Sequence, residues 1–139
     1  NQIWHRDGPW PVDPQGTPFG SIPGQVNCGY YLDETNSENG GLGIVPGSHK
    51  KLLDIPREDF DYPDQKYLFA KPGQAVLFSG WMYHRGLANK SNSNRRVCLF
   101  CYQNAWMKSR ENFDGPIAKK IRQNGTDEQK LLMGSADKW

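Results

Sequence analysis

His5 and Asp7 stand two positions apart in NQIWHRDGPW, at the front of the chain. In an extended segment residues i and i+2 face the same side, so one imidazole nitrogen and one carboxylate oxygen can meet at the same point. Such a pair suits a metal ion. One further nitrogen would complete a 2-His-1-carboxylate facial triad, which holds Fe(II) on one face of an octahedron and leaves three positions open for co-substrate and O2. The chain has 3 histidines, so the third ligand is His49 or His84. His84 is the better candidate, because it follows the apolar run AVLFSGWMY and stands two residues before Gly86, where backbone can come close to a ligand. His49 lies in VPGSHK, a tight turn after Pro46 and Gly47, and turn chemistry assigns it a hydrogen bond that holds the turn. Eleven residues beyond His84 comes Arg95, whose guanidinium can grip a carboxylate through two parallel hydrogen bonds, as an ammonium cannot. If Arg95 faces inward with Val97 and Leu99, Arg96 falls on the outer face as a solvated or surface-paired charge.

These residues need a scaffold that brings a late strand beside an early one, and the composition suits one. With 139 residues the chain is expected to form a single domain, 1–139. Its 15 glycines and 10 prolines, spread between short apolar runs, favour an all-β sandwich or barrel, and a jelly roll supplies the required meeting of strands. QIWHRD reads as a short strand. The stretch from Gly8 to Gly24 has no period and reads as a long loop, either a substrate lid whose Trp10 and Phe19 would line the pocket or a passive crossover between two strands. QVNCGYYLD reads as a strand with Gln25, Asn27, Gly29 and Tyr31 on one face. ETNSENGG, with Asn39-Gly40 suited to positive φ, reads as a hairpin turn returning into the strand LGIV. Strands follow at YLFA, AVLFSG and RRVCLFCYQNAW, and Thr126 with Gln129 forms a capping box for a short C-terminal helix through Met133.

The charge balance narrows the partners. Lys and Arg number 17 against 15 Asp and Glu, a formal +2, which offers no strong field for nucleic acid or an anionic membrane. Electrostatics by itself names no partner. Three cysteines and no apolar run of about 18 residues suggest a reducing, cytoplasmic setting. Cys98 and Cys101 form a C-x-x-C, but strand alternation sends them to opposite faces, and they read as packing residues. The chain begins at Asn1, almost within the motif, which suggests a fragment lacking its N-terminal part.

Taken together, WHRDG, GYYLDETNSENGGLGIVPGSHK, KPGQAVLFSGWMYHRGLANKS and the following RR resemble the phytanoyl-CoA dioxygenase family of Fe(II)- and 2-oxoglutarate-dependent oxygenases, over Trp4 to about Tyr102. The resemblance implies a double-stranded β-helix, the cupin-like jelly roll, with His5, Asp7 and His84 as iron ligands and Arg95 on the far carboxylate of 2-oxoglutarate. Asn27 and Tyr31, on the face of their strand expected to point inward, are the candidate co-substrate contacts. By this reading the protein hydroxylates a small organic or acyl substrate, consuming O2 and releasing succinate and CO2. Related iron halogenases have a small residue in place of the carboxylate, so Asp7 favours hydroxylation. One departure is Gly86, where members commonly carry a small hydroxyl residue that helps hold the co-substrate. The rival class is a non-catalytic jelly-roll module that binds a metal or ligand, since one fold serves many functions.

Overall fold

A computed structural model describes residues 2–7, 24–50, 60–104, 107 and 113–134. The proposed lid, with Trp10 and Phe19, lies outside the described residues. The chain divides into two compact units, Asn1–Tyr102 and Gln103–Trp139. The first unit has strands β1 (Gln25–Tyr31), β2 (Leu42–Ile44), β3 (Lys66–Leu68), β4 (Ala75–Ser79), β5 (His84–Gly86) and β6 (Val97–Gln103). They make two three-stranded sheets, ordered β4-β1-β6 and β3-β2-β5. The β1/β4, β2/β3 and β2/β5 pairs are all antiparallel. This is the expected jelly-roll core.

Three expectations change. ETNSENGG does form a tight turn, bridged from Asn36 to Gly40, with Gly40 at φ 85°. It does not join a hairpin, because β1 and β2 belong to different sheets. The side chains of Asn36 and Asn39 explain why the turn stands without a ladder: Asn36 Oδ1 accepts from the Glu38 and Asn39 N–H groups, and Asn39 Oδ1 accepts from the Asn36 N–H. Residues 2–7 are not a regular strand but lie along β5 through one bridge, His5 to His84. The chain leaves that register when the Asp7 N–H turns to the Gly80 carbonyl at 2.7 Å. Cys98 and Cys101 are exposed rather than packed, in a strand whose interior is five consecutive exposed residues.

The core that steadies the site is aromatic. Trp4 and Tyr83 are fully buried with Val45, and Tyr62 packs against them. Two cations lie over these rings, Arg85 at 4.5 Å from the Trp4 centroid and Arg6 at 4.1 Å from that of Tyr83. Arg85 is 1% exposed and its charge is met by Asp61 at 2.8 Å. Trp4 and Arg6 flank His5 in sequence and Tyr83 and Arg85 flank His84, so the packing sets the position of both histidines.

The second unit carries two helices where one is expected, α1 (Pro116–Asn124) and α2 (Asp127–Leu132). Pro116 opens α1, since its missing N–H costs nothing at a helix start. The Thr126–Gln129 capping box opens α2 as read from sequence. Among the described residues no helix is long and apolar enough to cross a membrane.

Candidate metal centre

The bridge between His5 and His84 sets the site. Each donates its backbone N–H to the other's carbonyl at 3.0 Å, which brings the rings together with centroids 4.3 Å apart and planes tilted by 53°. The i, i+2 relation then brings Asp7 to the same side. One ligand atom from each of His5, Asp7 and His84 lies within 4.8 Å of the others. His84 Nε2 is 3.3 Å from Asp7 Oδ2, and His5 Nε2 is 4.0 Å from Asp7 Oδ1.

Both rings are oriented in the same manner. His5 Nδ1 lies 2.9 Å from the Ile3 carbonyl and His84 Nδ1 2.9 Å from the Met82 carbonyl, each two residues back. A carbonyl only accepts, so each Nδ1 donates to it and Nε2 is the nitrogen turned toward the carboxylate. The His84 hydrogen bond holds the Asp7 carboxyl below its ordinary value, against burial and with help from Asn27. Two nitrogens and one carboxylate oxygen turned toward one point match the donor set of non-haem iron.

Asn27 takes part in a way the sequence does not reveal. Its Nδ2 donates to Asp7 Oδ2 at 2.6 Å, and its Oδ1 accepts from Gln25 Nε2 at 2.8 Å. Two buried amides in line thus steady the carboxylate. Tyr31, also buried, lines the same cavity, a space of about 320 Å³ that includes His5, Asp7, His84 and Arg95. Burial raises the Tyr31 phenol pKa, and the nearby Arg95 charge opposes it. Arg95 Nη1 donates to the Leu87 carbonyl at 2.7 Å, which aims the guanidinium from β5's end. Arg96 is surface-paired as expected, with Nε and Nη2 on the two oxygens of Asp33 at 3.0 and 2.9 Å.

His49 stands apart from the cluster, in the 3-10 turn Ser48–Lys50. It does not supply the bond that holds the turn: its buried Nδ1 has no hydrogen-bond partner among the described residues. Ser48 does that work, accepting the Tyr83 N–H on Oγ at 2.8 Å and Arg6 on its carbonyl at 2.6 Å. The P-G-S-H-K signature draws attention to its histidine, while the short side chain before it fits between strands.

A jelly roll with two imidazoles and a carboxylate gathered beside an open cavity is the arrangement of the cupin-like Fe(II)/2-oxoglutarate oxygenases. The family model described as phytanoyl-CoA dioxygenase (PhyH) matches residues 1–97, and the chain belongs to that family. Iron and 2-oxoglutarate are the family's cofactor and co-substrate. Dioxygenase hkm4 of Aspergillus hancockii is 40% identical over 100 residues, covering 69% of this chain and 31% of that protein. Phytanoyl-CoA dioxygenase domain-containing protein 1 of Danio rerio is 34% identical over 86 residues, covering 50% of this chain and 30% of that one. The chain therefore spans about a third of the length of these curated relatives. HygX from Streptomyces hygroscopicus, crystallised with nickel, 2-oxoglutarate and hygromycin B, shares the fold at TM-score 0.54 and 24% identity, over 60% of this chain and 37% of that one.

Proposed function

We propose that this chain is the iron- and 2-oxoglutarate-binding part of an oxygenase that hydroxylates a small organic or acyl substrate, releasing succinate and CO2. The observation that carries the reading is the paired orientation of His5 and His84, each tied at Nδ1 and turned at Nε2 toward Asp7, beside a cavity lined by Arg95. His5, Asp7 and His84 hold the iron, which supplies the activation of O2. Arg95 takes the far carboxylate of 2-oxoglutarate and thereby orients its keto-acid end toward the cluster. Asn27 keeps the carboxylate of Asp7 aligned, and Asp7 itself occupies the place a halide would need, which favours hydroxylation. Tyr31 completes the cavity wall on the co-substrate side. A purely structural metal site has no use for a carboxylate clamp, so Arg95 separates this reading from a non-catalytic binding module.

The test is an Fe(II)-dependent succinate assay on the full-length protein. Asp7→Ala is expected to abolish turnover through loss of the metal, and Arg95→Ala to raise the 2-oxoglutarate KM at least about tenfold, the worth of a charge-assisted pair. Unchanged turnover in Asp7→Ala, or an unchanged KM in Arg95→Ala, would refute the role given to that residue.

A further inference from the structure

The two segments that bear the imidazoles repeat one pattern of aromatic, histidine and arginine, in Trp4-His5-Arg6 and Tyr83-His84-Arg85. They run antiparallel through the bridge from His5 to His84, so Trp4 falls opposite Arg85 and Arg6 opposite Tyr83. Both cross-strand pairs make contact, with the Arg85 guanidinium 4.5 Å from the Trp4 ring centroid and the Arg6 guanidinium 4.1 Å from that of Tyr83. The imidazoles face the cavity, and alternation puts these pairs on the other face of the same segments. Gly43 of β2 pairs with Arg85 and makes room for the contact, because a Cβ there would lie 3.2 Å from Trp4 Cη2 and 3.2 Å from Arg85 Cγ.

Backbone bonding holds this register over a short span. His5 and His84 exchange two hydrogen bonds, but the Asp7 N–H goes to the Gly80 carbonyl at 2.7 Å and the Gln2 N–H to the Gly86 carbonyl at 2.9 Å, both out of step with that pairing. Burial of Trp4 and Tyr83 as apolar bulk does not by itself choose the register, since a slip of two residues keeps every side chain on its face. One such slip would set Arg6 against Arg85, like charges directly opposed, and the other would set Trp4 against Tyr83 and turn Arg85 toward Gln2. Of the three, the observed register alone gives both cations a ring, and it alone brings His5 against His84. We propose that Arg6 and Arg85 are positioning residues for the metal centre, forming with Tyr83 and Trp4 a reciprocal clasp that selects the register in which His5 meets His84 before any metal binds. The inference rests on the reading of His5, Asp7 and His84 as metal ligands and adds what assembles them.

The experiment titrates the metal-free full-length protein with cobalt(II) in the absence of oxygen and follows the visible bands of the bound ion, while near-ultraviolet circular dichroism reports the fold. Arg85→Met keeps the apolar stem and leaves Asp61, whose side chain is 73% exposed, to water. Arg85→Met and Arg6→Met are each expected to weaken cobalt about tenfold, and the double variant by more than about a hundredfold, because either pair still holds the register when the other is lost. Arg85→Lys keeps a cation over Trp4 and is expected to stay within about threefold of the wild type. In the metal-free wild type the two imidazoles, with centroids 4.3 Å apart, should show a proton–proton NOE that disappears in the double variant. Arg6 is only partly buried, so Arg6→Met carries the test should Arg85→Met not fold. Unchanged cobalt affinity in either folded methionine variant, equal losses in Arg85→Lys and Arg85→Met, or no NOE between the rings in the metal-free wild type would overturn the clasp while the metal site stands. A wild-type protein that takes up no cobalt overturns the reading of the three residues as ligands, and the clasp with it.

Discussion

Replacing Asn27 with leucine tests how the carboxylate of the metal cluster is held. Asn27 is 4% exposed and lies between Gln25 Nε2 at 2.8 Å and Asp7 Oδ2 at 2.6 Å. Leucine has the same branching at Cγ and can make neither bond. Stranding the Gln25 amide and one oxygen of an ionised carboxylate costs roughly 4 kcal/mol together, from about 1–3 kcal/mol for each buried polar group. Burying the new apolar side chain returns about 2 kcal/mol. The polar loss wins, and the metal-free variant is expected to be less stable by about 2 kcal/mol at pH 7. The effect should depend on pH. The folded-state pKa of Asp7 is depressed, first by His84 and also by Asn27, so the stability it contributes is full above the ordinary carboxyl value of 3.8 and is lost as the pH falls toward the lower folded value. Leucine removes part of that contribution, so the gap between variant and wild type should narrow in acid. Urea unfolding at pH 7 and pH 2.5 measures it, with a midpoint shift on the order of 1 M at neutral pH. Cobalt affinity at pH 7 should fall about 10- to 100-fold, as for other partners that orient a metal ligand. An equal gap at both pH values, or none at pH 7, would refute the view that Asn27 acts through the charge of Asp7.

Two further perturbations probe the frame around the site. Gly40 has φ 85° and a Cβ there would sit 2.7 Å from the Leu87 carbonyl and 2.8 Å from Arg95 Nη1, whereas Gly73, at φ 84°, has nothing within 4 Å. Gly73→Ala should therefore cost about 1 kcal/mol of strain, and Gly40→Ala clearly more, with a raised 2-oxoglutarate KM as Arg95 is displaced; thermal melts and kinetics of both variants check this, and equal costs would refute it. The Asp33 carboxyl, held by the Arg96 side chain and then by its backbone N–H, has its pKa lowered to about 2. Its contribution to stability is present above the ordinary carboxylate value and lost as the pH falls through about 2; carboxyl NMR should follow that titration, which moves up in Arg96→Met.

Much of the site is legible in the sequence because it rests on local geometry. Alternation along an extended backbone puts His5 and Asp7 on one side, Asn27 and Tyr31 on one face of β1, and Arg95 opposite Arg96, whatever the rest of the chain does. The capping box at Thr126 and the positive φ at Gly40 are equally local, set by a few bonds within four residues. Register and topology decide what remains. Gln2 meets Gly86 across 84 positions, and no pattern in either neighbourhood announces the pairing. The same register places His5 directly against His84, while each ring is turned by the carbonyl two residues back and His49 is left in a turn held by Ser48. Asn27 reaches Asp7 because β1 runs in the opposite sheet from β5, a placement that also separates β1 from β2 despite the turn between them. Residue type and short-range sterics determine which way each side chain points, while the whole fold's burial and hydrogen bonding determine what it meets there.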